Sequence, residues 1–475
     1  MKQKKSSWMS ALFAYAKNAK GELGLSVVLS VVSILLGLVP FFCMYRVICL
    51  FTAGTATKAA VIGWCAWSLA AYAGKVLCFT LSTGISHHAA YNILEGLRLR
   101  LVERFLHAPL GEVQKHSIGE IKSILVDKIE NIEPPLAHMI PEGAGHIVLP
   151  IVSFIALFAI DWRLALAALA VMLSMSMVGS LAKLEVFSEN MRQVKATVES
   201  LEAFLEMPAL PEPAQPAALQ GTGVELKNVH FSYSADGPEV LHGIDLTLPQ
   251  GSFTALVGPS GGGKSTVAKL IARFWDVTQG SITIGGVDVR QMPLAQLSGL
   301  VSFVTQDNYL FRCSLLENIR LGNPAATDEQ VKAVARAAQC EELIAKLPQG
   351  YDTPAGETGK RLSGGEKQRI SIARAMLKDA PIVILDEATA FTDPENEDKI
   401  QQSIAALTRG KTLLVIAHRL STIKHADNIV VLQNGSILAE GTQAQLLADC
   451  PLYRDMWQAH IGAKAWAVSS AGKEE

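Results

Sequence analysis

Long apolar runs fill the chain up to about residue 182, whereas short runs separated by turn residues follow from Val224 onward. Residues 23–45 contain no charged side chain. A helix of that length rises about 1.5 Å per residue and crosses a hydrocarbon core of about 30 Å. Three more apolar runs follow, so the pattern predicts four membrane-spanning helices, at residues 23–45, 59–81, 143–160 and 164–182.

Charged residues indicate the orientation of these spans. Lysines at positions 2, 4, 5, 17 and 20 precede the first span and place that end in the cytoplasm. The polar stretch 95–133 has charges at helical spacing, and we expect two cytoplasmic helical extensions joined by a turn at 110–117. Four crossings return the chain to its starting side. We therefore expect a multi-pass protein of the inner (cytoplasmic) membrane, with everything after Lys183 in the cytoplasm.

The pattern changes in the second half of the chain. An amphipathic helix at 187–205 is followed by a stiff, extended linker with four prolines. After it, β runs alternate with helical runs, which is typical of an α/β domain. The sequence thus predicts a multidomain protein, an α-helical transmembrane domain followed by an α/β domain, with boundaries at 1–205 (membrane domain), 206–220 (linker), 221–462 (α/β domain) and 463–475 (tail).

Composition agrees with two domains in different environments. The chain has 475 residues, 42 Lys and Arg against 44 Asp and Glu, and a mean hydropathy of +0.27. Near-neutral charge removes the electrostatic drive toward nucleic acid, so no nucleic-acid partner is expected. The seven cysteines form no CxxC pair and indicate neither a disulfide framework nor a metal site.

A glycine-rich loop lies between the apolar run 253–257 and a helical run at 267–274. Glycines let backbone N–H groups converge on phosphate oxygens, a lysine adds a positive charge, and the following serine ligates Mg²⁺. The sequence therefore predicts a phosphate-binding loop, formed by Gly258, Pro259, Ser260, Gly261, Gly262, Gly263, Lys264, Ser265 and Thr266.

Two carboxylates end a second apolar run, at 382–385. Ligands bind at the carboxyl ends of such interior parallel strands. We expect Asp386 to hold Mg²⁺ and Glu387 to polarise a water molecule that attacks the γ-phosphate. Helix capping is the alternative role for the pair. Upstream, a helical run at 367–377 is preceded by Ser363, Gly364, Gly365 and Glu366, which present a second set of backbone donors at its start.

In combination and in order, these motifs resemble those of the ATP-binding cassette (ABC) family, over roughly residues 224–461. The resemblance implies ATP and Mg²⁺ as cofactors and adds four residues to the set: Tyr233, Gln306, Asp393 and His418. It implies that Tyr233 stacks on adenine and that Gln306 contacts Mg²⁺ and the attacking water. It also implies that His418 holds the γ-phosphate and orients Glu387.

The same resemblance implies a second subunit. In this family Ser363, Gly364 and Gly365 would touch the γ-phosphate bound by the loop of the other subunit, so one chain alone would not hydrolyse ATP efficiently. The expected partner is a second ABC half-transporter, in a homodimer or a heterodimer, together with membrane lipid and a small-molecule cargo.

The order of the two domains resembles exporter-type ABC half-transporters. The stretches 386–397, 306–311 and 132–139 resemble the branch that imports iron-loaded siderophores. A multidrug or lipid exporter is the alternative.

The membrane half departs from the family pattern. Family members have six spans and two cytoplasmic coupling turns, whereas four spans and one coupling turn, at 110–117, are expected here. Residues 184–213 resemble the end of the family's sixth helix and the linker after it. A membrane-tethered ATPase that does not transport is therefore a further alternative.

Overall fold

The computed structural model describes residues 14–234, 236–305, 308–356, 362–386, 394–417 and 420–459. They form two compact units: the first ends at Ala209 and the second begins at Leu210, with Pro109–Gly111 also grouped in the second. Gln306, Glu387, Asp393 and His418 lie outside the described residues.

Long helices make up the first unit. Helix α1 stops at Thr52 and the chain turns at Gly54, whose φ of +66° favours glycine. Thr57 begins the next helix, because its hydroxyl accepts a hydrogen bond from Ala60 N over 3.3 Å. The α-helices are α1 (Lys20–Thr52), α2 (Lys58–His107), α3 (Leu110–Gln114), α4 (Ile118–Ser123), α5 (Ile140–Ile160) and α6 (Trp162–Leu205), with a 3₁₀ turn at Ala16–Ala19 and π turns at Ile124–Lys128 and Pro135–Met139.

The predicted spans lie within the four longest of these helices. Of the helices in the described part of the chain, α1 and α2 are long and apolar enough to cross a membrane. The third and fourth predicted spans lie in α5 and α6, and the number of crossings stays a prediction. The amphipathic run at 187–205 is not a separate helix, because it forms the end of α6, which is continuous over 44 residues.

Small polar residues join α1 to α2. The Ser82 hydroxyl donates to Ser26 O over 2.7 Å, and the Ser33 hydroxyl donates to Lys75 O over 3.0 Å. Small side chains let helix backbones approach closely, and such hydrogen bonds average about 0.6 kcal/mol in membranes. The pair is therefore held by close packing and by these hydrogen bonds.

The inner part of the first unit has its own apolar core. Leu94, Leu97 and Leu101 of α2 are buried there with Val198 and Leu201 of α6. The polar stretch after the second predicted span is thus folded against a core, which explains why its charges occur at helical spacing.

Two sheets organise the second unit. The first is antiparallel, in the order β2-β1-β4-β5, and the second has the order β10-β9-β3-β8-β7-β6, parallel except for β10. The strands are β1 (Val224–Ser232), β2 (Glu239–Leu248), β3 (Phe253–Val257), β4 (Gln279–Ile284), β5 (Val287–Asp288), β6 (Val301–Val304), β7 (Ile382–Asp386), β8 (Thr412–Ile416), β9 (Asn428–Gln433) and β10 (Ser436–Gly441).

Helices cover the parallel sheet, so its interior strands β3 and β7 are largely buried, and they are apolar except for Thr254 in β3 and Asp386 at the end of β7. The helices are α7 (Lys264–Ile271), α8 (Leu294–Leu300), α9 (Leu315–Arg320), α10 (Asp328–Ala337), α11 (Glu341–Ala345), α12 (Gly364–Lys378), α13 (Pro394–Thr408) and α14 (Gln443–Asp449), with 3₁₀ turns at Val289–Gln291, Gly350–Asp352 and Leu420–Ile423.

Hydrogen bonds hold part of the proline-rich segment against the second unit. The fully buried Arg273 guanidinium donates to Pro211 O over 2.8 Å, and its Nε donates to Asp276 Oδ1 over 2.8 Å. Gln296 exchanges two further hydrogen bonds with the backbone of Ala217. Between these contacts the segment is fixed and does not act as a free tether.

Candidate nucleotide-binding site

The glycine loop runs from the end of β3 to the start of α7. Gly258 has φ +139°, and a Cβ there would lie 1.9 Å from Leu432 O on the adjacent β9. Gly263 has φ +98°, and a Cβ there would lie 2.6 Å from Leu241 Cδ2. Only glycine fits both positions, so the loop's sequence follows from its close packing against β2 and β9.

Lys264 begins α7 and is only 6% exposed. Its ammonium donates to Gly258 O over 2.9 Å and to Pro259 O over 2.8 Å. The positive charge therefore lies within the loop. A helix N-terminus and a fixed ammonium together favour a phosphate group at this position.

Ser265 and Asp386 meet at the same edge of the sheet. The Ser265 hydroxyl donates to Asp386 Oδ1 over 3.3 Å. Hydroxyl and carboxylate oxygens are the ligands that Mg²⁺ prefers in proteins. The pair fits the predicted magnesium site.

Tyr233 follows β1 and borders the same cavity. Its hydroxyl is 2.8 Å from Thr266 Oγ1, and its ring makes edge contacts with Phe231 and Trp275 at centroid distances of 4.9 and 5.0 Å. The ring remains 37% exposed. The cavity measures about 360 Å³ and is lined by Tyr233, Val240 and residues 260–266. Its size and donors suit a nucleotide polyphosphate with an aromatic surface beside it.

The serine-glycine motif forms the start of α12. Ser363 caps this helix: its hydroxyl accepts from Glu366 N over 3.3 Å, and Ser363 N donates to the Glu366 carboxylate over 2.7 Å. Ser363 and Gly364 are exposed, whereas Gly365 is buried. Glu366 therefore acts here as a capping residue that fixes the exposed serine.

The structure thus brings together the glycine loop, Tyr233 and Asp386. Strands β6, β7 and β8 are adjacent and parallel, and they end at Val304, Asp386 and Ile416. The predicted roles of Gln306, Glu387, Asp393 and His418 concern residues outside the described part of the chain. Sequence reasoning missed Leu432 and Trp275, since nothing in an apolar strand residue or a single tryptophan indicates contact with the loop or with Tyr233.

Two family models match the chain. The model described as "ABC transporter transmembrane region" matches residues 23–204, and the model described as "ABC transporter" matches residues 241–390. Together they account for more than half of the sequence.

The chain belongs to the ABC transporter family. The predicted order of a helical transmembrane domain followed by an α/β domain is confirmed, and a domain of this family implies ATP binding. The chain has the domains of an ABC half-transporter subunit. It is an inner-membrane protein with its nucleotide-binding domain in the cytoplasm.

Several curated ABC proteins are similar in sequence. The mycobactin import ATP-binding/permease protein IrtA of Mycolicibacterium smegmatis is 47% identical over 281 residues, which is 59% of this chain and 32% of that protein. A putative multidrug export ATP-binding/permease protein of Staphylococcus aureus is 46% identical over 244 residues, 51% of this chain and 42% of that protein. The chain therefore spans less than half the length of these relatives.

A solved structure has the same fold. A bacterial Atm1-family ABC exporter with ATP bound superposes with a TM-score of 0.70 at 24% identity, over 94% of this chain and 98% of that one. The expected exporter fold is confirmed.

Proposed function

We propose that the chain is one half of an ATP-hydrolysing transporter that moves an iron-siderophore across the cytoplasmic membrane. One observation carries the ATP-dependent part: Ser265 and Asp386 lie in hydrogen-bond contact beside a glycine loop that contains a buried lysine. Phosphoryl transfer requires positioning and charge stabilisation more than covalent chemistry from the protein. This arrangement supplies both.

The glycine loop and the residues around it bind the nucleotide and Mg²⁺ in this proposal. Backbone N–H groups of residues 260–265 donate to the phosphate oxygens, and Lys264 turns its ammonium from the loop carbonyls to a phosphate. Tyr233 offers its exposed ring to adenine. Ser265 and Asp386, with Gln306, would hold Mg²⁺, which neutralises phosphate charge when bound.

Hydrolysis needs an oriented water molecule. We assign Glu387 to polarise this water, and His418 to orient Glu387 and bind the γ-phosphate. Asp393 is assigned to the nucleotide-binding residues. The assignment of Glu387 is supported by its neighbour in sequence, since β7 ends at Asp386, at the edge of the sheet where the glycine loop lies.

The second subunit completes the site. Ser363 and Gly364 are exposed at the start of α12, where backbone donors remain available to a phosphate held by another chain. We propose a dimer with a second ABC half-transporter, either a homodimer or a heterodimer. We also propose that residues 1–205 form the membrane domain and 206–220 the linker. Residues 221–462 then form the ATP-binding domain and 463–475 the tail.

The cargo assignment rests on sequence similarity. The stretches 386–397, 306–311 and 132–139 resemble siderophore importers, and the mycobactin importer is 47% identical over its aligned region. The multidrug export protein at 46% supports the alternative of drug or lipid export. A membrane-tethered ATPase that does not transport is the third candidate, based on the four predicted spans.

Transport by reconstituted protein separates these candidates. The chain is placed in proteoliposomes alone and with a related full-length half-transporter, and ATP-dependent movement of a ferric siderophore, a drug and a lipid is measured. Glu387→Gln serves as the control for ATP dependence. Siderophore movement that requires this chain supports the proposal, whereas movement of drug or lipid alone overturns the cargo. ATP hydrolysis with no cargo movement in either preparation identifies a tethered ATPase.

A further inference from the structure

A small cavity lies in the first unit where the start of α1 meets the inner part of α2. It measures about 160 Å³, roughly the volume of five water molecules. Tyr15, Glu22, Asn92 and Arg100 provide its polar lining, and Gly96 keeps one wall open, since a Cβ at that position would meet nothing within 4 Å.

Two opposite charges face this cavity without contacting each other. Glu22 Oε2 is buried and has no hydrogen-bond partner. Arg100 is exposed and lines the same space, and none of the ion pairs among the described residues joins it to Glu22. Burying a carboxylate oxygen without a donor is costly. A positive group on a ligand would compensate the Glu22 carboxylate, and a negative group on the same ligand would meet the exposed Arg100 guanidinium.

The cavity lies at the inner boundary of the predicted membrane span. Glu22 immediately precedes residue 23, where the first apolar run begins. Ser82 of α2 donates to Ser26 O, one helical turn further into the span, which aligns the two helices at this depth. Residues 92–100 continue α2 beyond the apolar run 59–81 toward the cytoplasm. Glu22 therefore lies at the level of phospholipid headgroups on the cytoplasmic side, and the α2 wall of the cavity extends from there into the cytoplasm.

Tyr15 adds a neutral donor. Burial, together with the carboxylates of Glu202 and Glu206 and against the opposing charge of Arg100, raises the pKa of its phenol to about 12. The phenol therefore keeps its proton at physiological pH and donates to an anionic oxygen.

We propose that this cavity binds a primary amine joined to a phosphate, supplied by the ethanolamine headgroup of an inner-leaflet phospholipid. Glu22 accepts hydrogen bonds from the ammonium, while Arg100 and Tyr15 donate to the phosphate. A choline headgroup carries the same charges, but its quaternary ammonium has no N–H to donate to a carboxylate. The site therefore distinguishes the two headgroups by hydrogen bonding and not by charge.

Lipid binding to the full chain in nanodiscs tests this assignment. Phosphatidylethanolamine is titrated into phosphatidylcholine nanodiscs, and retained lipid is counted by native mass spectrometry. We expect about a tenfold preference for ethanolamine, lost in Glu22→Gln. Arg100→Gln should weaken binding of both headgroups and keep the preference, because both carry the same phosphate. Lys20→Gln is the matched control, because Lys20 is an exposed charge nearby that does not line the cavity, and it should retain the preference.

A second series needs no protein variant. Affinity in the parent chain should fall stepwise from ethanolamine through its monomethyl and dimethyl forms to choline, as N–H donors are removed. Equal affinity for all four headgroups, or an unchanged preference in a folded Glu22→Gln variant, would overturn the proposal. Soluble phosphoethanolamine is added to lipid-free micelles as a separate arm, and binding as tight as that of the lipid would overturn the lipid as the source.

Discussion

The Ser265 hydroxyl donates to Asp386 Oδ1 over 3.3 Å, although 121 positions separate the two residues. The contact exists because β3, which leads into the glycine loop, and β7, which ends at Asp386, both pair with β8 in parallel. The sheet topology therefore creates an oxygen pair suited to a hard cation before any nucleotide contact is considered.

Removing the charge from this pair should affect metal-dependent binding selectively. In Asp386→Asn we expect ATP affinity to fall by about tenfold or more with Mg²⁺ present, and to change little in EDTA, because the amide is a weaker Mg²⁺ ligand than a carboxylate. Equilibrium binding of a fluorescent ATP analogue under both conditions measures the difference. An equal loss with and without Mg²⁺ would contradict the metal role.

Lys264→Ala should weaken nucleotide binding itself, by about tenfold or more, because it removes the ammonium that lies within the loop. Lys269→Ala in the last turn of the same helix is the matched control. ATP titration of both purified variants provides the comparison. Similar affinities for the two variants would exclude Lys264 as a phosphate contact.

Glu387→Gln should bind ATP as the parent chain does and lose turnover by about a hundredfold or more, since the amide cannot polarise the attacking water. Phosphate release measures turnover, and size-exclusion chromatography with Mg-ATP measures association. We expect the blocked variant to accumulate as a dimer. Parent-like hydrolysis contradicts the role of Glu387, and a strictly monomeric blocked variant contradicts the shared site.

Gly258→Ala should destabilise the second unit by about 2 kcal/mol or more, because a Cβ would meet Leu432 O at 1.9 Å in a backbone region that glycine alone adopts readily. Gly261→Ala, in the same loop, meets nothing within 4 Å and carries only the cost of its positive φ, about 1 kcal/mol. Thermal unfolding of the two full-length variants should rank them in this order. Equal unfolding midpoints for the two variants would show that the close contact of Gly258 with β9 does not determine the loss of stability.

Arg273→Gln should lower stability by about 3 kcal/mol, since it removes a fully buried guanidinium bound to Asp276 and to the backbone of Pro211. Arg290→Gln is the control, because its ion pair with Asp288 is partly exposed and such pairs contribute about 1 kcal/mol or less. Denaturant unfolding measures both. Limited proteolysis should also cut residues 206–220 faster in Arg273→Gln and at the parent rate in Arg290→Gln.

Local sequence patterns predicted the strands of the site well. The apolar runs 253–257 and 382–385 correspond to β3 and β7, because an interior parallel strand needs apolar side chains on both faces. The starts of two helices were placed three residues too late. Helix α7 begins at Lys264 rather than at 267, and α12 at Gly364 rather than at 367.

The reason lies in the chemistry of those first turns. Glycine and polar residues occupy the first turns of both helices, because these turns bind a phosphate or are capped by a side chain. The first turns therefore lack the apolar spacing that indicates a helix. The capping pair of Ser363 and Glu366 was the available signal for α12. No such signal indicated the hydrogen bond from Arg273 to Pro211 O in the linker, because the two residues are distant in the chain.

Helix α2 has mechanical consequences of its own. Its 50 residues form one continuous α-helix, about 75 Å long at the usual rise, which is more than twice the thickness of a hydrocarbon core. If the outer end acts as a pivot, a change in tilt of about 10° swings the opposite end through about 13 Å. Modest rocking within the bilayer is thereby amplified into a large sweep on the cytoplasmic side.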